Sequence, residues 1–148
     1  MLGTIYEFKL SKYFKSVAIK PGKPILFAKI KKKQKVIFGL PGNPISSAVG
    51  MRFFVYPYIL ILMDIDKEKP IKARLKNSFN KKFFFTNFLR ARISTTNNGN
   101  NEVEILKGQE SYRIQSLVKS NIWVILPSGK SKFKKGDIVD CFFSNHSN

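Results

Sequence analysis

The sequence predicts an α/β fragment followed by a small all-β barrel domain, on three observations. A β-branched and aromatic run, Val36-Ile37-Phe38, passes through the turn Pro41-Gly42-Asn43-Pro44 into a long apolar segment ending at Met63. A charged stretch, Asp64-Ile65-Asp66-Lys67-Glu68-Lys69-Pro70, then breaks the pattern. Beyond it the chain changes to short strand-like runs separated by turn residues. The expected organisation is an α/β part over 1–63, a linker over 64–70 and a β-barrel domain over 71–148.

Residues 1–15 alternate apolar and charged without a start signal and read as a frayed edge. Ser16-Val17-Ala18-Ile19 reads as a short strand, stopped by Lys20-Pro21-Gly22-Lys23-Pro24, where two prolines fix an extended turn and two ammonium groups flank it. Residues 25–30 form the next strand, and the lysine-rich turn 31–35 leads into Val36.

Asn43 suits the N-cap of the helix that follows, because its side-chain oxygen can accept from an orphan N–H one turn in. Pro44 suits the first helical position, where no N–H is needed. Gly42 lets the backbone pass close to a ligand, and the N–H groups at the helix start favour an anion such as a phosphate; an ordinary strand-to-helix connection carries the same residues. Val49, Met51, Phe53, Phe54, Val55, Ile59, Leu60 and Leu62 make the helix apolar on nearly all faces, with Pro57 as a kink or an exposed turn. Three strands cannot cover such a helix, so residues 1–63 read as the trailing edge of a larger α/β domain or as a surface that pairs with another chain.

After the linker, strands are expected over 71–75, 83–93, 102–106, 122–126 and 138–143. Asn97-Asn98-Gly99-Asn100-Asn101 reads as a hairpin tip, and Pro127-Ser128-Gly129-Lys130 and Lys135-Gly136-Asp137 as turns. Residues 111–119 could form a short helix capped by Ser111. Five or six strands fit a barrel or sandwich, and 144–148 read as a loose tail.

Charge narrows the function. Lys and Arg number 27 against 9 acids, a net charge of +18, which points to an anionic partner. Much of it is lysine background, as in Lys31-Lys32-Lys33-Gln34-Lys35, and a solvated lysine face explains it better than a nucleic-acid surface. Cys141 and His146 are the only cysteine and histidine, which excludes an intramolecular disulfide and a Cys/His metal site. Residues 1–7 lack the pattern of a signal peptide, and the apolar stretch 48–63, interrupted by Gly50, Arg52 and Pro57, is shorter than the roughly 18–20 residues of a membrane span. A reducing, cytoplasmic setting is expected.

The loops 20–24 and 41–44 follow consecutive strands of parallel type, and in an α/β sheet such loops gather at the carboxyl ends of the strands, where ligands bind. With their flanks, Val17-Ala18-Ile19-Lys20-Pro21-Gly22-Lys23-Pro24 and Val36-Ile37-Phe38-Gly39-Leu40-Pro41-Gly42-Asn43-Pro44-Ile45-Ser46, they resemble the end of the molybdopterin-binding domain of molybdopterin molybdenumtransferases, the MoeA/gephyrin family. Phe88-Leu89-Arg90-Ala91-Arg92, Gln109, Ser111, Ser116-Leu117, Asn121, Ile125-Leu126-Pro127, Gly129 and Gly136-Asp137 are similar to that family's C-terminal β-barrel.

The resemblance implies insertion of molybdate into adenylylated molybdopterin with release of AMP, assisted by magnesium and usually performed by a dimer. It implies that Lys20 and Lys23 offer charge to the phosphate or molybdate end, and that Pro41, Gly42, Asn43 and Pro44 shape the site. Arg90 and Ser111 match site positions of the C-terminal domain. Ser16, Ala28 and Glu110 depart from the pattern. The matched region lies downstream of the family's Gly/Ser-rich pterin-phosphate segment and of its acidic metal ligands, with Glu7 the only acid before the linker. The expectation is one wall of a site, with little activity alone, completed by a homodimer mate or by a partner chain supplying the N-terminal part. Two other classes stay open: a small basic nucleic-acid-binding module stacking bases on Phe83, Phe84, Phe85, Phe88 or Trp123, and a non-catalytic scaffold.

Overall fold

The computed structural model describes residues 10–31 and 35–144. Glu7, His146, most of the expected tail and the centre of the 31–35 turn lie outside them. Residues 10–14, expected to fray, instead form strand β1 (Leu10–Phe14) on the edge of an antiparallel sheet with β3 (Leu26–Ile30) and β4 (Val36–Gly39), in the order β1-β3-β4. Aromatic packing holds it there: the Tyr13 and Phe14 rings lie 5.2 and 5.7 Å from Phe27, which stands 4.8 Å from Phe38.

The intervening strand is shorter than the sequence suggests and belongs elsewhere. β2 (Ile19–Lys20) leaves this sheet and pairs in parallel with β7 (Thr86–Thr95), Ile19 opposite Thr86 and Lys20 opposite Asn87. β3 and β4 are antiparallel. The two proline-glycine loops therefore do not follow neighbouring parallel strands of one sheet, because β2 is recruited by a partner almost seventy residues away, which local pattern cannot encode.

The helix runs unbroken over Pro44–Leu62 as α1 (Pro44–Gly50), a π-helical segment (Met51–Val55) and α2 (Tyr56–Leu62). Asn43 caps it, its Oδ1 accepting from Ile45 N at 3.1 Å and Ser46 N at 3.3 Å. The wide π turn stands just before Pro57, which offers no N–H and crowds the carbonyl four residues back, and thus relieves the clash. At 19 residues the helix reaches the length of a membrane span, longer than the 48–63 stretch suggested. It is also not buried all round. Ile45 and Val49 pack with Ile19, Ile25, Phe88 and Trp123, whereas Met51, Ile59, Ile61 and Leu62 are exposed.

Beyond the irregular segment 65–70, strands β5 (Ile71–Leu75), β7, β8 (Asn101–Ile105), β9 (Ile122–Leu126) and β11 (Ile138–Phe143) follow the order β7-β8-β5-β11-β9, and a β7–β9 ladder closes them into a five-stranded barrel. The expected hairpin tip joins β7 to β8, with Thr95 opposite Asn101 and Gly99 at φ +75°. Leu75, Val103, Ile122, Val124 and Leu126 fill the interior. A two-stranded ribbon, β6 (Phe79–Asn80) with β10 (Lys132–Phe133), lies beside it. Strand β7 starts at Thr86, so Phe83 and Phe84 fall in the preceding turn.

The two parts share a core. Phe53 of the helix lies 4.5 Å from the Phe88 ring and 6.1 Å, edge-on, from Trp123. Arg52 reaches both Glu68 in the connecting segment and the carbonyl of Phe143 on β11.

Candidate functional site

The β2–β7 pairing that fuses the two parts also borders a cleft. It encloses about 1130 Å³ between the 20–24 loop, the segment 77–82 that carries β6, and the end of β8 with the turn 106–111 that follows it.

The first wall is stiff. Lys23 O accepts from Val17 N and from Ile25 N, both at 3.0 Å, which pinches the loop shut at its base. The Lys20–Pro21 peptide is cis, and Gly22 sits at φ +105°. A Cβ on Gly22 would stand 3.3 Å from Ile19 Cδ1 and 3.5 Å from the Ser46 carbonyl, so the glycine lets the loop lie on the first turn of the helix. Lys20 and Lys23 both face the cleft.

The opposite wall is held from below by Arg90. This side chain is 1% exposed, and its Nη2 donates to Gly108 O at 2.9 Å and to Glu110 O at 3.4 Å. Its Nε and Nη1 are buried without partners. Burial lowers the pKa of the guanidinium and the nearby Glu110 carboxylate partly offsets this. Gln109 completes the clamp: its Oε1 accepts from Arg90 N at 3.1 Å, and its Nε2 donates to Arg90 O at 2.8 Å and Leu106 O at 2.7 Å. The amide thus continues the β7–β8 ladder by one rung after β8 has ended, and presents Ser111 at the cleft surface.

Lys81, Lys82 and Lys107 add to Lys20 and Lys23, and among the described residues Glu110 is the only acid on the cleft wall. Lys81 Nζ is engaged by Phe85 O at 2.7 Å, and burial lowers its pKa. Such a lining suits an anion: in a partly enclosed space each ammonium interacts more strongly than in bulk water.

The structure brings Lys20, Lys23 and Ser111 into one cavity and keeps the other expected residues out of its lining. Pro41, Gly42, Asn43 and Pro44 do not line it, and Ser46 is the helix's contribution. A Cβ on Gly42 would meet nothing within 4 Å. The N–H groups of Ile45 and Ser46, expected to await an anion, are taken by the Asn43 side chain. Ser111 does not cap a helix: α3 (Gln115–Lys119) starts later, after Ile114, with no side-chain cap. Arg90, matched to a site position of the C-terminal domain, does not line the cleft but holds the turn that does, through Gly108 O and Glu110 O. Of the candidate base-stacking residues, Phe88 and Trp123 are in the core and Phe83 and Phe84 are exposed.

Sequence reasoning missed Asn87, Lys81, Lys82 and Lys107 as cleft residues. The lysines were lost in a lysine-rich background, and Asn87 carries no local signal.

Magnesium does not fit this cleft. Among the described residues no group of three or more His, Cys, Asp or Glu could hold a metal ion, and a lysine-lined wall with one carboxylate opposes a divalent cation.

Two family models match in sequence order: "Probable molybdopterin binding domain" over residues 7–60 and "MoeA C-terminal region (domain IV)" over 72–142. A molybdopterin molybdenumtransferase of Synechococcus elongatus is 33% identical over 127 residues, covering 86% of this chain and 30% of the relative. One of Staphylococcus aureus is 34% identical over 143 residues, covering 94% of this chain and 33% of the relative. A solved molybdopterin biosynthesis moeA protein of Pyrococcus horikoshii superposes with a TM-score of 0.72 at 25% identity, over 99% of this chain and 35% of that one. A molybdenum cofactor biosynthesis protein of Pyrococcus furiosus has the same fold, with a TM-score of 0.72 at 20% identity over 89% of this chain and 45% of that one. The chain thus spans about a third of the length of the curated relatives it matches. With the α/β end and the barrel both matched, in sequence order, the chain belongs to the molybdopterin molybdenumtransferase (MoeA) family and corresponds to its C-terminal portion.

Proposed function

We propose that the chain serves molybdenum cofactor biosynthesis by forming one wall of a site that takes adenylylated molybdopterin and molybdate and releases molybdenum-loaded cofactor and AMP. The observation that carries the reading is the convergence of Lys20 and Lys23 from the α/β part with Ser111 from the barrel on one cationic cleft. Lys20 and Lys23 attract and orient the anionic end of the ligand. Ser111 offers a hydroxyl donor on the opposite wall, and Arg90 and Gln109 hold that wall in register. Magnesium, where the reaction uses it, is held by carboxylates outside this cleft. A homodimer mate or a partner chain would supply the rest of the site, in the cytoplasm.

The test is calorimetric titration of the chain with molybdopterin and its adenylylated form, beside Lys20→Ala and a single-stranded oligonucleotide. Binding should weaken roughly tenfold in the variant, as for loss of one charge-assisted hydrogen bond. Equal affinity in the variant, or tighter binding of the oligonucleotide with a steep salt dependence, would overturn the reading.

A further inference from the structure

Asn87 is the anomaly of the cleft wall. It is 6% exposed, yet its Oδ1 is buried with no hydrogen-bond partner. It is the second residue of β7, buried between Thr86 and Phe88, where Val, Ile or Leu would pack without loss, so strand stability does not account for an asparagine here. The residue opposite it in the parallel β2–β7 pair is Lys20. Residues in register on neighbouring strands lie about 4.8 Å apart and project to the same side. Both line the cleft, as does Leu89, two residues further along β7.

We infer that Asn87 is a ligand-binding residue of this cleft, and that its carboxamide, beside the Lys20 ammonium, reads the amide or amidine edge of a nitrogen heterocycle that also carries an anionic group. A carboxamide offers a carbonyl acceptor and an amine donor side by side, and half a turn about its last bond exchanges them. The group that satisfies both at once has an adjacent donor and acceptor, as an asparagine finds on the edge of adenine. A bare oxyanion has no such edge and needs only the lysines. The pairing of a neutral reader with a cation on adjacent strands fixes the spacing between the two halves of the ligand, and makes Asn87 a determinant of specificity where Lys20 contributes charge.

This inference rests on the cleft being a ligand site, and its test separates the two. Wild type, Asn87→Leu, Asn87→Ser and Lys20→Ala are titrated with molybdopterin, AMP and inorganic phosphate, and their Tm values are measured. Because the amide oxygen is buried without a partner in the free protein, Asn87→Leu should keep or raise the Tm. It should weaken molybdopterin or AMP binding roughly tenfold and leave phosphate unchanged, whereas Lys20→Ala weakens all three. Loss confined to molybdopterin assigns the amide to a pterin edge, and loss confined to AMP assigns it to adenine. Wild-type affinity for both in the two Asn87 variants, with the lysine effect intact, overturns the role of Asn87 and leaves the cleft reading standing. A lowered Tm with all three probes weakened alike makes Asn87 structural and also overturns it. If no probe binds the wild type, the cleft reading fails and the role of Asn87 fails with it.

Discussion

Arg52→Ala should be among the most damaging single changes outside the barrel core, because this one side chain joins helix, connecting segment and barrel. Its Nε donates to Phe143 O at 3.1 Å, and its Nη2 to the two Glu68 oxygens at 2.8 and 2.6 Å. Its guanidinium carbon stands 5.4 Å from the Phe53 ring centroid, 5.6 Å from Tyr56 and 5.7 Å from Phe142. Glu68 is a third exposed, so screening limits the ion pair to about 1 kcal/mol. The charged bond to the Phe143 carbonyl adds about 1.5–3 kcal/mol, and the ring contacts about 0.5–1 kcal/mol. These contributions overlap, and a total loss of about 2–4 kcal/mol is expected. Urea denaturation of wild type, Arg52→Ala, Glu68→Gln and the double variant reads the total and the coupling in one cycle. Arg52→Lys should recover less than half, since one compact ammonium lacks the spread by which Nε and Nη2 reach the carbonyl and the carboxylate from separate atoms. A loss under about 1 kcal/mol for Arg52→Ala, or additive single effects, would refute the view that this residue ties the two parts together.

Two further outcomes are expected. Asn43→Ala should cost about 1 kcal/mol in a denaturation measurement, because it frees the N–H groups of Ile45 and Ser46, while Gly42→Ala one position earlier should be nearly silent, since the space around it is open. The Cys141 thiol is fully buried, and its pKa is pushed up to about 12, chiefly by burial and then by Asp140, with Lys72 opposing. The unfolded thiol loses its proton from about pH 8.5, so this residue's contribution to stability is complete below that pH and is lost as pH rises toward the folded value. The urea midpoint of wild type relative to Cys141→Val should therefore fall between about pH 8.5 and 11, and a flat difference would contradict the burial.

What was legible in the sequence was what is decided within a few residues. The cap at Asn43 needs only the next three residues, and the 97–101 tip and the 20–24 loop need only their own glycines and prolines. The recruitment of β2 to the barrel was not legible, because Ile19 and Lys20 find Thr86 and Asn87 across a separation that no periodicity reports. That part of the helix stays uncovered was legible, because three strands cannot cover so apolar a segment, but which side was not: the pattern alone does not single out Ile59, Ile61 and Leu62.

Arg90 shows why a matched residue type does not settle a role. On β7 it alternates with the same parity as Phe88 and Arg92, yet Arg92 is exposed and Arg90 is buried. The difference comes from Gly108 and Glu110, whose carbonyls descend onto the guanidinium from a turn far along the chain. The unpartnered Nε and Nη1 keep a cation inside the wall at a desolvation cost. Arginine earns its position there by holding the turn that carries Ser111, and only a change in that turn would bring its free nitrogens to a ligand.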